Sequence, residues 1–143
     1  MVDFSGLRVK LLHPNAKLPT KAPGSAGYDL YATCDEEIPA GGRLIVPIGI
    51  ATEIPFGYFG KVMDRSGSAA RAGITVLAGV MDNDFRGEWK VILLNTGKAD
   101  IIILAGDRIA QVVFMPYGHF TVDEIEILSD TVRGEACLGS TGR

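Results

Sequence analysis

A chain of 143 residues with 22% charged residues and a net charge of −3 makes one ordinary domain, long enough to bury roughly 70% of the surface its unfolded form exposes. The acidic balance, with a pI near 5.3 and no basic run, excludes broad attraction to nucleic acid or to anionic membranes. The 18 Gly are nearly twice the usual share of about 7% and predict many turns and close backbone approaches.

Runs of β-branched and aromatic residues recur between Gly, Pro, Asn and Asp punctuation. In chain order they are LRVKLL (7–12), RLIVPIGIATEI (43–54), YFGKVM (58–63), ITVLAGVM (74–81), EWKVILLN (88–95), DIIIL (100–104), DRIAQVVFM (107–115) and VDEIEIL (122–128). This spacing predicts strands and an all-β sandwich or barrel. In EWKVILLN, Trp89, Val91 and Leu93 alternate with Glu88, Lys90 and Ile92, the period of a strand with two unlike faces. SGSAARA (66–72) predicts a single short helix with Ser66 as its candidate cap. Asp82-Asn83-Asp84 predicts the turn of a β-hairpin, because Asn and Asp tolerate left-handed backbone and bond locally. The tail RGEACLGSTGR (133–143) has no strand pattern and is expected to stay mobile until something binds it. The expected organisation is a β domain over residues 1–132 and a mobile C-terminal arm over 133–143.

Cys34 and Cys137 show no CxxC or Cys/His metal spacing, which predicts free thiols in a reducing compartment. The opening MVDFSGLRVKLL lacks the apolar core of a signal peptide, and residues 101–105 form the longest Gly-free apolar stretch. That is far too short to span a bilayer. A soluble intracellular protein of cytoplasm or nucleus is expected.

Three segments offer chemistry. Asp82 and Asp84 alone would be a solvated turn, but Gly79 and Gly87 let other groups approach the backbone and Phe85 sets an aromatic ring beside the acids. Together they suit a pocket for a flat ring with a carboxylate over the adjoining sugar or phosphate. Arg65, Ser66 and Gly67 at a helix start suit phosphate oxygens; the plainer reading is a surface ion pair of Asp64 with Arg65. Arg133, Gly134, Gly139, Ser140 and Thr141 can turn several N–H groups toward one anion, or else form a disordered terminus.

Read in order, AGYDLYA (26–32), RSGSA (65–69), AGVMDNDFRGE (78–88), GDRIAQ (106–111) and RGEACLGSTG (133–142) resemble the five motifs of the trimeric dUTPase family. The resemblance implies a jelly-roll-like β-sandwich or barrel and a magnesium-dependent homotrimer with shared active sites. It implies hydrolysis of dUTP to dUMP and pyrophosphate by water attack at the α-phosphate, which limits uracil in DNA and supplies dUMP for dTMP synthesis. Asp82 would be the general base. The uracil would be held by main-chain groups of the third motif, Gly79, Val80 and Met81, and by Lys90 on the returning strand. Phe85 would pack on the deoxyribose. Arg65, Ser66, Gly67 and Gln111 would grip the phosphates, with Asp29 supporting Mg2+ through water. Arg133, Leu138, Gly139, Ser140 and Thr141 would close over the γ-phosphate and the base. One pocket would take its first, second and fourth motifs from one subunit, its third from another and its fifth from the last.

The chain departs from the family pattern in three places. Phe85 stands where Tyr is usual, which keeps the flat ring and loses a phenol oxygen. Asp64 replaces a common Pro and brings a negative charge near the phosphates. Ala136-Cys137-Leu138 replaces Gly-Gly-Phe, which removes base stacking and predicts binding weaker by about tenfold. His13 and His119 are assigned to surface or loop roles, Trp89 to a strand face or subunit contact, and Asp107 with Arg108 to a structural ion pair. The rival readings are a dCTP deaminase-like enzyme, a weakly active nucleotide-binding regulatory trimer and a structural jelly-roll subunit.

Overall fold

The computed structural model describes residues 6–137. Eleven strands and one helix follow in order: β1 Arg8–Leu11, β2 Tyr28–Tyr31, β3 Glu36–Ile38, β4 Arg43–Pro47, β5 Ile50–Glu53, β6 Tyr58–Met63, α1 Ser66–Ala72, β7 Ile74–Leu77, β8 Val80–Met81, β9 Lys90–Asn95, β10 Ile101–Ile103 and β11 Arg108–Pro116. All pairings are antiparallel. They form open sheets in the orders β2-β11-β6-β8, β4-β9-β7, β1-β5 and β3-β10. The expected all-β class with a single short helix is what the chain adopts.

The alternation read in 88–95 is realised: Trp89, Val91 and Leu93 are buried and pack with Ile38, Val46 and Ile50 in the common core. Asn95 continues that buried face. Its amide donates to Ile38 O at 3.0 Å and Ala99 O at 2.8 Å, and its Oδ1 accepts Gly97 N–H at 2.9 Å. A fully paired buried amide fastens β9 to the β3–β10 ribbon without an unsatisfied group.

The structure corrects four expected elements. The run 43–54 divides because Gly49, at φ +67, turns the chain, sending β4 to β9 and β5 to β1. The run 74–81 divides at Ala78 and Gly79, both at positive φ. Residues 122–128 form no strand and stand largely exposed; alternation alone cannot make a strand where no neighbouring edge accepts its backbone bonds. The helix is capped by Arg65, with no side-chain bond, so Ser66 is its first residue and not its cap; Gly73 in the left-handed region closes it. β2 and β3 are short strands that the apolar pattern does not announce.

Candidate functional site

β11 is the strand that assembles the site. Gln111 stands opposite Asp29 of β2 on one side and Met63 of β6 on the other, so the first, second and fourth motifs meet at one end of the sheet. They line a hollow with Lys21, Ser25, Gly27, Asp29, Arg65, Ser66, Gly67, Arg71 and Gln111. Arg65 Nε bonds Asp29 Oδ1 at 2.9 Å, and Arg108 Nε lies 3.6 Å from the other oxygen. Arg65 Nη1 also donates to Arg108 O at 3.3 Å. Gln111 Nε2 donates to Asp64 O at 2.7 Å. These bonds leave a half-buried rim with three cations, Lys21, Arg65 and Arg71, against the single carboxylate of Asp29, an arrangement ready for a polyanion.

Two ion pairs expected from sequence are replaced by others. Asp64 does not pair with Arg65; its carboxylate accepts Thr75 Oγ1 at 2.9 Å and Val76 N–H at 2.6 Å. Its charge is therefore turned to the start of β7 and away from the hollow. Asp107 does not pair with Arg108; it accepts Leu104 N–H at 2.9 Å in the turn before β11, leaving Arg108 to Asp29.

The third motif lies elsewhere. β7 and β9 pair from Ile74↔Asn95 to Leu77↔Ile92, and beyond that the two limbs part. Val80 and Met81 join β6 opposite Lys61 and Gly60, while Lys90 stays with Pro47 of β4. The segment is thus a fork between two sheets and not the tight hairpin expected, with its tip closed by Phe85 N–H on Asp82 O at 3.3 Å. Asp82, Asn83 and Asp84 line a separate hollow with Phe56, Phe59, Val80, Tyr117 and His119. His119, set aside from sequence, stacks on Phe56 there at 5.3 Å between ring centroids. Phe85 folds its ring over Gly87, where a Cβ would meet Cζ at 2.7 Å.

The two hollows share no lining residue. Met81 is opposite Gly60 and Gln111 opposite Met63, which puts Asp82 level with Phe59, four residues along β6 from Gln111's partner. At 3.2–3.4 Å per residue that is ~13 Å. One chain therefore does not bring its own Asp82 to its own Arg65 and Gln111. Arg133 is described and exposed, whereas Leu138, Gly139, Ser140 and Thr141 lie outside the described residues.

Sequence reasoning missed Lys21, Ser25 and Arg71. Arg71 was legible as the residue four after Gly67, on the same helix face; Lys21 and Ser25 sit in an irregular loop that carries no periodic signal.

Fold and hollow together define an open antiparallel β protein with an anion-ready cleft at one sheet end. Residues 14–142 match the dUTPase family model. The chain is 45% identical over 140 residues to the deoxyuridine 5'-triphosphate nucleotidohydrolase of Paramecium bursaria Chlorella virus 1, covering 97% of this chain and 99% of that one. It is 44% identical over 140 residues to the protein of the same name from Candida albicans, covering 96% and 88%. Among solved structures, a dUTPase mutant of Staphylococcus bacteriophage 80alpha with dUpNHpp superposes with a TM-score of 0.91 at 25% identity, covering 97% of this chain and 99% of that one. The chain belongs to the dUTPase family.

Proposed function

We propose that this chain hydrolyses dUTP to dUMP and pyrophosphate, as a magnesium-dependent homotrimer whose active sites are shared between subunits. The observation that carries the reading is the separation of Asp82 from the Arg65–Gln111 hollow, which makes sense if the acid of one chain serves the hollow of another. The substrate follows from the family and from the shared name of its relatives. The trimer is further supported by apolar side chains left in water after β11: Phe120 is 88% exposed, Val122 98% and Ile127 84%. Apolar side chains left this exposed along one segment suit cover by another chain.

In this reading Arg65, Ser66, Gly67 and Gln111 hold the phosphate chain, with Lys21 and Arg71 adding charge. Asp82 of a neighbouring subunit orients a water and takes its proton as the water oxygen bonds to the α-phosphorus. The bond from that phosphorus to the bridging oxygen breaks, and pyrophosphate leaves with the electron pair. The parted limbs at Gly79, Val80 and Met81 on one side and Lys90 on the other suit a uracil read by main-chain groups, a scheme that penalises cytosine by leaving a buried group unpaired. Phe85 packs on the deoxyribose. The arm from residue 133 onward, following a β domain over 1–132, brings Arg133, Leu138, Gly139, Ser140 and Thr141 to the γ-phosphate and the base.

The donor set limits where magnesium fits. Among the described residues no cluster of His, Cys, Asp or Glu could hold a metal, and both Asp29 oxygens face guanidinium nitrogens. The residues fit an ion that the substrate's phosphates would mainly hold and that Asp29 would support through water. When bound, magnesium neutralises charge on the phosphate chain. No helix among the described residues is long and apolar enough to cross a membrane. The free thiols of Cys34 and Cys137 support an intracellular location in cytoplasm or nucleus.

Pyrophosphate release measured with dUTP, dCTP, dTTP and UTP tests the proposal. Release confined to dUTP and reduced by Asp82→Asn to a small residual rate is expected. Ammonia from dCTP with no pyrophosphate from dUTP would instead assign a deaminase.

A further inference from the structure

We infer that Arg86 is a positioning residue for Asp82, its guanidinium fastening the acid-bearing turn to β5; this rests on the reading of Asp82 as the base. The turn's own closing bond is long, 3.3 Å from Phe85 N to Asp82 O, and weak alone. Arg86 Nη1 donates to Asn83 O at 2.6 Å, to Phe85 O at 3.2 Å and to Thr52 O at 3.2 Å. Two acceptors belong to the turn and the third to β5, where Thr52 is buried and paired with Val9. A charged donor shared among carbonyls makes stronger bonds than a neutral one.

The fork is already anchored at both ends. Val80 and Met81 are held by β6, and Trp89 N–H donates to Ile50 O at 2.8 Å while Trp89 O accepts Ile48 N–H at 3.1 Å. Between these anchors the residues from Asp82 to Gly87 are mostly exposed, and the Arg86 side chain is what ties their main chain to the body of the protein. A general base must stay within hydrogen-bond reach of its water, and a displacement of about 1 Å can cost roughly a hundredfold in rate. Fixing the turn therefore acts on the chemical step, while the phosphate grip in the separate Arg65–Gln111 hollow is untouched.

The test is a double-mutant cycle in the full-length trimer, read by single-turnover and steady-state kinetics. Arg86→Ala is expected to lower kcat roughly ten- to a hundredfold with KM for dUTP within about threefold of wild type. Arg86→Lys, which keeps the charge but loses the planar fork, is expected to restore part of the rate. In an Asp82→Asn background the same Arg86→Ala change is expected to lower the residual rate by less than about twofold, because the group it positions is gone. An equal proportional fall in both backgrounds, or no fall in the first, overturns the inference. An Asp82→Asn chain as active as wild type overturns instead the reading on which it rests.

Discussion

The side-chain amide of Gln111 lies across Gly27 so closely that a Cβ on Gly27 would come within 2.0 Å of Gln111 Oε1. The same amide donates to Asp64 O at 2.7 Å, so Gly27 leaves the space in which Gln111 is aimed. Gly27→Ala is expected to push Gln111 off Asp64 and lower kcat/KM about tenfold. Because the displaced group is the end of a flexible side chain, the thermal midpoint should move by only a few degrees. Unchanged kcat/KM in this variant would show that Gln111 does not hold the substrate.

Arg65 and Asp29 form a pair with one job for each partner. With Arg65→Ala, the Asp29 carboxylate keeps only the longer contact to Arg108 at 3.6 Å and turns its charge on the incoming phosphates. KM for dUTP should rise more than about tenfold. Steady-state kinetics at saturating magnesium decide it; an unchanged KM would mean that Arg65 does not hold the phosphates.

Arg71 packs its guanidinium against Gly67, with Nη2 2.8 Å from where a Cβ would stand. As a rim cation it should act through long-range attraction. Arg71→Ala should raise KM by about three- to tenfold in dilute buffer and by less near 1 M salt, where the screening length falls to about 3 Å. A salt-independent effect would assign Arg71 a direct bond instead.

Gly79 stands at φ +110, where a Cβ would come within 2.9 Å of both Val62 Cβ and Val62 O. Neither contact is with a flexible end, so Gly79→Ala is expected to cost about 1–3 kcal/mol. Chemical denaturation measures it.

Leu138 stands where the family pattern has Phe. Leu138→Phe is expected to tighten dUMP binding about tenfold by restoring base stacking, measurable by titration calorimetry.

What the sequence disclosed depended on how local each signal was. Trp89, Val91 and Leu93 announced their strand because alternation is a property of neighbours in the chain. The break at Gly49 was less legible, because a Gly inside an apolar run reads equally as strand or turn until the left-handed φ is seen. Arg65 and Gln111 were found through motif order, but their ion-pair and hydrogen-bond partners were not. Asp29 stands 36 positions from Arg65, and the nearer acid, Asp64, was taken by Thr75 and Val76. The strand expected at 122–128 failed for the opposite reason: its pattern is local, but its pairing edge is not among the described residues of the same chain.

The most direct measurement of the central claim mixes two defective chains, Asp82→Asn and Arg65→Ala, after dissociating and reassembling them together. With dUTP held well below KM, where the weakened phosphate grip of Arg65→Ala also shows, each alone should keep little activity. If one chain's acid serves another's hollow, an equal mixture rebuilds intact sites in mixed assemblies and should regain roughly a quarter of wild-type activity. Mixed trimers, verified by mass, that stay as inactive as either parent would contradict it.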